Sequence, residues 1–265
     1  MRIGPSAKDA LWFEYENYRR HDRYANLSDA EKAIVEQFAK EGCYLLKNAV
    51  GDDVIEEINL AIDDWMVENI AALVANKRPD GTYPRLIGLH EEVPALCKLF
   101  SNEATLKLRE LLFGLGHSLF ASITFLQGSQ QPLHRDIPVF HLSPGNHYYR
   151  IWFALEDATA LNGALTGVRG GHRVDVGRSG TAHTFHARFE EIPGQDPVLW
   201  REHQDVLKRK YEEAGLAEET FELSKGDVLI WHPLFPHGGS TIADKKAGRR
   251  SVVLHVSAIP PVVPQ

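Results

Sequence analysis

Cysteine is scarce in this sequence of 265 residues, where it occurs only twice, as Cys43 and Cys97. The two are far apart, so neither belongs to a CxxC pair or to another close metal-binding spacing. Cys43 lies in an apolar, strand-like run, and Cys97 lies in a Leu-rich, helix-like run. We therefore predict two buried free thiols rather than a disulfide, which fits a protein of the reducing cytoplasm.

The sequence also lacks an apolar run as long as a membrane span, and its first residues show no basic stretch followed by an apolar one. Positive charge is in deficit, because the formal net charge is -7 at pH 7. Such a balance gives no general attraction to nucleic acid or to an anionic membrane, although local Arg and Lys could still hold an anionic substrate. We expect a cytoplasmic protein with neither nucleic acid nor membrane as partner.

Internal repeats and low-complexity segments are absent as well, and 43% apolar with 25% charged residues is typical of one soluble globular domain. We predict a single domain over residues 1–265, with three parts. Residues 1–117 form a mostly helical support, in which a capping box opens a helix from Ser28 to about Lys40 and helical spacing runs from Asp52 to about Ala75. Residues 118–173 and 221–258 form a β core, and residues 174–220 are an insert.

The insert carries a strongly charged run between Glu202 and Glu213. Charge runs of this kind are typical of solvated helices. We therefore expect a helix here that covers one side of the β core or pairs with another chain.

Three side chains of the β core form a metal-binding pattern. His134 and Asp136 are two residues apart, so on a strand both point to the same face while Arg135 points away. His237 follows the buried strand that begins after Gly226, close to the strand's end. An H-x-D pair alone is a weak signal, but two imidazoles and one carboxylate together match the facial triad that holds non-haem Fe(II) and leaves positions open for a co-substrate and dioxygen.

An arginine and a serine downstream form a second pattern. The planar fork of Arg249 matches a carboxylate bidentately, and the hydroxyl of Ser251 lies two residues along on the same strand face. Arg250 competes for the role, but strand alternation groups it with Val252 and Leu254. We expect Arg249 to be the carboxylate-binding residue.

Taken in order, the segments HRD, IWFALEDATALNGAL, GGHR, GDVLIWHPLFPHGGS and GRRSVVLHV resemble the phytanoyl-CoA dioxygenase family of Fe(II)/2-oxoglutarate oxygenases. The resemblance covers roughly residues 120 to 258, and a weaker resemblance occurs nearer the amino end, in EGCYLLKNAVGDDVIEEINLAIDDW. It implies a mainly β fold with flanking helices (α+β), built on a double-stranded β-helix of the jelly-roll or cupin kind.

The resemblance also implies an enzyme, a dioxygenase with Fe(II) as cofactor and 2-oxoglutarate and O2 as co-substrates, which releases succinate and CO2. The presence of Asp136, where halogenating relatives have a small residue, favours hydroxylation, although desaturation, epoxidation or cyclisation stay open. Trp152 either stacks near 2-oxoglutarate or fills the barrel, and Gln130 either contacts the co-substrate or is a polar residue of a strand end. The implied sites are metal ligation by His134, Asp136 and His237, and co-substrate binding by Arg249, Ser251, Trp152 and Gln130.

Two segments depart from the family pattern, and both concern the substrate. The usual Pro-Gly-Ser-His reads Arg169-Gly170-Gly171-His172, which puts the local loop shape in doubt, and the insert 141–150 is rich in polar and aromatic side chains. We expect that insert to form a loop over the pocket. Its polar groups favour a small polar or natural-product substrate, and the candidate contacts are His141, His147, Tyr149 and Arg150.

The residues leave open the substrate, the carbon oxidised and the oligomeric state, a homo-oligomer included. Two other functions compete with an oxygenase. A noncatalytic barrel could bind a sugar or lipid, but its signature would be loss of the triad. A zinc-dependent hydrolase could use the same ligands, but no Glu stands out for activating a zinc-bound water.

Overall fold

The computed structural model describes residues 11–15, 17–114, 116–136, 148–176, 197–244 and 247–257. Within them, the α-helices are α1 (Asp22–Ala25), α2 (Asp29–Glu41), α3 (Asp52–Ala75), α4 (Cys97–Phe100), α5 (Glu103–Phe113) and α6 (Pro197–Glu213). The strands are β1 (Cys43–Leu46), β2 (Leu86–Ile87), β3 (Ser118–Phe125), β4 (Tyr148–Ala154), β5 (Leu165–Gly167), β6 (Glu219–Phe221), β7 (Val228–Trp231), β8 (His237–Gly239) and β9 (Ser251–Ser257).

The strands form two sheets that face each other. The larger has six strands in the order β1-β7-β4-β9-β3-β2, and the smaller has three in the order β6-β5-β8. Every pairing between these strands is antiparallel. The large sheet therefore supplies a broad wall, and side chains of the small sheet pack against its inner face.

Strand alternation divides the core into two layers, as β4 illustrates. Ile151 and Phe153 point outward into the largest hydrophobic cluster, which they share with residues of helices α2, α3 and α5 such as Phe38. Trp152 and Ala154 point inward, where they pack with side chains of the small sheet. Since both faces of β4 are covered, all seven of its residues are buried.

Helix α2 shows how local sequence sets an element's bounds. The Ser28 side chain accepts a hydrogen bond from the Glu31 backbone, and the Glu31 side chain accepts one from the Ser28 backbone, which is the predicted capping box. Gly42 ends the helix at a φ of 78°, and a Cβ there would lie 2.3 Å from Nδ1 of His172. The left-handed turn and the close approach of His172 both require glycine, after which β1 starts directly.

Two predictions about local structure were wrong. Tyr148, Tyr149 and Arg150 were expected in a loop over the pocket, but they begin β4 and are fully buried. Of the two cysteines, Cys43 is buried and free as predicted, whereas Cys97 is free but exposed. None of the helices in the described part of the chain combines the length and apolarity needed to cross a membrane.

Helix α6 is less solvated than its charge suggested. One stripe of it, with His203, Leu207 and Tyr211 at four-residue spacing, is buried. Tyr211 accepts a hydrogen bond at 2.9 Å from Nε of Arg135, and Arg135 also donates to the carbonyls of Gly171 and Val174. The arginine between the two predicted metal ligands thus points away from them and holds this helix against the small sheet.

Candidate metal centre

Backbone pairing brings the two predicted histidine ligands together. The amide of His134 donates to the carbonyl of His237, and the amide of His237 donates back to His134, both at 2.9 Å. The segment around His134 thereby extends the small sheet beyond β8. Gly238 permits this approach, since a Cβ there would lie 2.7 Å from the Gln131 carbonyl oxygen.

The side chains of His134, Asp136 and His237 converge at this edge of the small sheet. One ligand atom from each lies within 4.8 Å of the others, and all three residues are buried. Nε2 of His237 is 3.7 Å from Oδ2 of Asp136, and the two imidazole centroids are 4.5 Å apart. This is the only such cluster of metal-ligating groups among the described residues.

Hydrogen bonds to the backbone orient both imidazoles. Nδ1 of His134 lies 2.9 Å from the Pro132 carbonyl, and Nδ1 of His237 lies 3.0 Å from the Phe235 carbonyl. A carbonyl can only accept, so each Nδ1 carries the proton and each Nε2 presents a lone pair. Burial lowers the pKa of both histidines, that of His134 to about 3, which keeps the rings neutral as metal ligation requires.

Asp136 is held ionised. Burial alone would raise its pKa, but interactions led by that with Arg150, whose Nε lies 3.1 Å from Oδ2, outweigh burial and lower the pKa to about 2. The indole nitrogen of Trp231 lies 3.5 Å from the same oxygen. Two neutral imidazoles and one carboxylate therefore face the same point, a donor set that suits a divalent transition metal.

The triad opens into a cavity of about 510 Å³ between the two sheets. Its lining includes Trp152, Arg249 and Val253, and Val253 pairs directly with Trp152 in the large sheet. Nη1 of Arg249 donates to Oγ of Ser251 at 3.0 Å, and the Arg249 guanidinium lies 4.9 Å from the centroid of the Trp152 ring. As alternation predicted, Arg249 points inward, while Arg250 points outward to Asp63.

The surroundings of Arg249 are those of an anion-binding residue. It is 2% exposed, and in the described part of the chain no carboxylate forms an ion pair with it. Its Nε has no hydrogen-bond partner there. Burial lowers its pKa to about 10. An orphaned guanidinium edge beside a triad of metal-ligating groups fits a co-substrate with one carboxylate at each end, such as 2-oxoglutarate.

The other predicted site residues divide into three groups. Arg150 reaches the cavity, but Tyr149 does not, because its hydroxyl lies 2.7 Å from Nδ1 of His117 and its ring stacks on Phe113 in the outer core. This placement contradicts a substrate contact for Tyr149. Gln130 lines the cavity, yet its amide is engaged by Asp80 and by the Ile242 backbone. His141 and His147 lie outside the described residues.

Sequence reasoning missed three side chains at this site. Nε2 of Gln131 lies 3.0 Å from Nε2 of His134, a contact that the sequence did not predict. The ring of Trp200, on α6, lies 5.5 Å from the His134 ring and lines the cavity. It precedes His203 by three residues, a helical spacing that continues the buried stripe of α6, and this was the available signal. Arg85 also lines the cavity, and it comes from a segment that reads as an exposed loop.

Comparison with known proteins shows similarity to one family. The profile of the phytanoyl-CoA dioxygenase (PhyH) family matches residues 5–251. Peroxisomal phytanoyl-CoA dioxygenase of Bos taurus is 26% identical over 125 residues, which cover 47% of this chain and 32% of that protein. The match thus spans about a third of the length of the bovine relative.

Solved structures show the same fold. The non-haem α-ketoglutarate-dependent carbocyclase SnoK, from nogalamycin biosynthesis, superposes with a TM-score of 0.63 over 88% of this chain and 85% of its own, at 14% identity. EctD from S. alaskensis, solved with 2-oxoglutarate and 5-hydroxyectoine, superposes with a TM-score of 0.60 over 87% and 76%, at 16% identity. The predicted double-stranded β-helix with flanking helices is confirmed.

Proposed function

The chain belongs to the phytanoyl-CoA dioxygenase family, and from this membership we propose that it is an Fe(II)/2-oxoglutarate-dependent dioxygenase that hydroxylates a small organic substrate. The observation that carries the proposal is the combination of the His134, Asp136 and His237 cluster with an unpaired, buried Arg249 on the opposite sheet. A metal site alone would be compatible with other chemistries. The guanidinium that faces it adds a place for a carboxylate-bearing co-substrate.

The residues have separate roles in this function. His134, Asp136 and His237 hold Fe(II), and Arg150 and Trp231 keep Asp136 ionised and oriented. Arg249 and Ser251 bind the distal carboxylate of 2-oxoglutarate, and Trp152 packs against the guanidinium. Bound iron and 2-oxoglutarate supply oxidative decarboxylation and the cleavage of an unactivated C–H bond, with release of succinate and CO2.

The lining of the cavity favours this function over zinc-dependent hydrolysis. Asp136 is the only carboxylate among the described lining residues, and it belongs to the triad itself. A zinc hydrolase needs a further base to activate the metal-bound water, and that base is commonly a Glu. The free thiols of Cys43 and Cys97 support a place in the reducing cytoplasm.

The test is an anaerobic titration of purified protein with Fe(II) and 2-oxoglutarate, followed by the weak visible metal-to-ligand charge-transfer band. Wild type is expected to develop the band, because the triad leaves coordination positions for a chelating 2-oxo acid. His134→Ala removes a metal ligand and should abolish it. Arg249→Ala should require at least about tenfold more 2-oxoglutarate, since truncating one partner of a buried charge pair costs about 2–5 kcal/mol.

Arg250→Ala is the matched control, because this neighbour points away from the cavity and pairs with Asp63. Its band should form at the wild-type concentration of 2-oxoglutarate. Iron-loaded, folded wild type that gave no band at saturating 2-oxoglutarate would overturn the assignment.

A further inference from the structure

Positive charge exceeds negative charge in the lining of the cavity. Four arginines face it, Arg78, Arg85, Arg150 and Arg249, against the single described carboxylate of Asp136. Asp136 pairs with Arg150 at 3.1 Å. With Arg249 assigned to the co-substrate, two guanidinium groups remain to be explained.

Only one of these two is available to a ligand. Arg78 donates from Nη1 to the Ser129 carbonyl at 2.9 Å, and its Nη2 lies 4.0 Å from a carboxylate oxygen of Asp80. Arg85 forms no hydrogen bond and no ion pair with any residue in the described ranges. Burial and the charge of Arg78 both lower its pKa, so an anion next to Arg85 would relieve an unfavourable environment.

The position of Arg85 places it within reach of a substrate at the metal. It directly precedes β2, whose Ile87 pairs with Ile123 of β3. Alternation puts Arg85 on the same inner face as Ile87, and both line the cavity together with Ile123 and Phe125. Arg85 and the three metal-ligating residues line the same cavity.

An apolar strip adjoins this guanidinium. Ile87 is 74% exposed although it lines the cavity, so it forms part of the open rim. Ile123 and Phe125 continue the strip inward along β3. A ligand at this wall would therefore meet a cation at one point and hydrocarbon beside it.

We propose that Arg85 binds an anionic group of the substrate, a carboxylate or a phosphate ester, while an apolar part of the substrate lies on Ile87 and Ile123. This inference rests on the proposed function, because it assigns Arg249 to 2-oxoglutarate and leaves Arg85 for the substrate. The guanidinium fork suits both anions, which it can bind bidentately. The substrate class becomes an organic anion with an apolar body.

The experiment is anaerobic calorimetric titration of the Fe(II)- and 2-oxoglutarate-loaded protein with straight-chain carboxylic acids, alkyl phosphates and the neutral amides of the same acids. Wild type is expected to bind at least one anion series about tenfold or more tightly than amides of equal length. The series that binds better identifies the anionic group. Arg85→Met should lose the preference, and Arg85→Lys, which keeps the charge without the fork, should retain part of it.

Two further variants serve as controls. Arg20→Gln removes a positive charge from an exposed residue at the end of a short helical turn and should bind every probe as wild type does. Ile87→Ser should weaken the dependence of affinity on chain length without removing the preference for anions. All variants should stay folded and keep the charge-transfer band.

Three results would overturn the role of Arg85. They are equal affinity of wild type for acids, phosphates and amides, an unchanged preference in Arg85→Met, and failure of every member of the panel to bind. Failure of the proposed function looks different, since the wild-type band would then be absent before any probe is added.

Discussion

Arg249 is a buried cation on the inner face of the large sheet, and its surroundings explain why a ligand should matter to the stability of the whole protein. Its one described hydrogen bond goes to a neutral hydroxyl, that of Ser251. A buried charge without a counter-charge costs free energy, because the desolvation of the charge is not offset. Binding sites commonly contain such groups, since the ligand supplies the missing charge.

Arg249→Met is therefore expected to raise the unfolding temperature of the ligand-free protein, by an amount equivalent to about 1 kcal/mol or more. Burial lowers the pKa of Arg249 from 12.5 to about 10, so the folded protein binds this proton less tightly than the unfolded chain. The destabilisation is fully present below pH 10 and is relieved as the pH rises from about 10 towards 12.5. Thermal unfolding of wild type and variant, with and without 2-oxoglutarate, measures the effect.

The same scan contains its own controls. 2-Oxoglutarate with metal should stabilise wild type but stabilise Arg249→Met much less. Arg250→Met should not gain stability, because Arg250 pairs with Asp63 and Glu156. A variant at position 249 that is less stable than wild type without ligand would contradict this account of the buried charge.

Helix α6, which lies in the insert 174–220, covers one side of the site. Near its beginning, the Trp200 ring contacts the His134 ring. Near its end, the Tyr211 hydroxyl accepts a hydrogen bond from Arg135. The residue between the two ligands of the H-x-D pair thus positions the element that covers them. Since Arg135 and Tyr211 are both buried, their hydrogen bond cannot be replaced by water without some opening of the structure.

Tyr211→Phe removes only the hydroxyl and should destabilise the protein by about 1–3 kcal/mol, because Nε of Arg135 loses its partner while it stays buried. Urea unfolding gives the value from the shift of the midpoint at constant slope. Tyr44→Phe is the matched control, since no hydrogen bond of the half-buried Tyr44 hydroxyl occurs in the described part of the chain. Equal stability of the two variants would show that the Arg135 contact is not needed to hold α6.

The sequence predicted the helices and strands whose bounds depend on local interactions. Helix α3 has the bounds that the sequence indicated, and helix α2 differs from its predicted bounds by one residue at each end. Cys43 lies in strand β1, as its apolar, strand-like run indicated. Strand β2 was missed because two residues carry no periodic signal, and they lie in a segment rich in Lys, Arg, Pro and Gly.

Errors arose where tertiary contacts override composition. Tyr148 to Arg150 read as a polar loop, yet they are buried because Arg150 pairs with Asp136 inside the barrel and Tyr149 stacks in the outer core. Two features of the site could be predicted from strand alternation, namely the metal-ligand cluster and the inward direction of Arg249. Trp200 and Arg85 could not be placed, since their approach to the triad depends on how distant segments pack.

In the whole molecule, the site joins the two sheets. His134 and His237 belong to the small sheet and its extension, whereas Ser251 begins strand β9 of the large sheet and Arg249 lies two residues before it. Metal and co-substrate together would therefore link both sheets. Helices α2, α3 and α5 share their core with the large sheet, because residues such as Phe38 and Ile58 lie in one hydrophobic cluster with Phe153 and Val252.

This shared core supports the proposal that residues 1–265 form a single domain. Differential scanning calorimetry should show one transition whose calorimetric and van't Hoff enthalpies agree. Metal with 2-oxoglutarate should shift that transition as a whole, by about 2.7 kcal/mol at a hundredfold excess over the dissociation constant, and a chelator should reverse the shift. If a second transition appeared that neither ligand nor chelator moved, the helical residues up to 117 would be a domain of their own. The large sheet would then have to bury its outer face without them, which the shared cluster makes physically unfavourable.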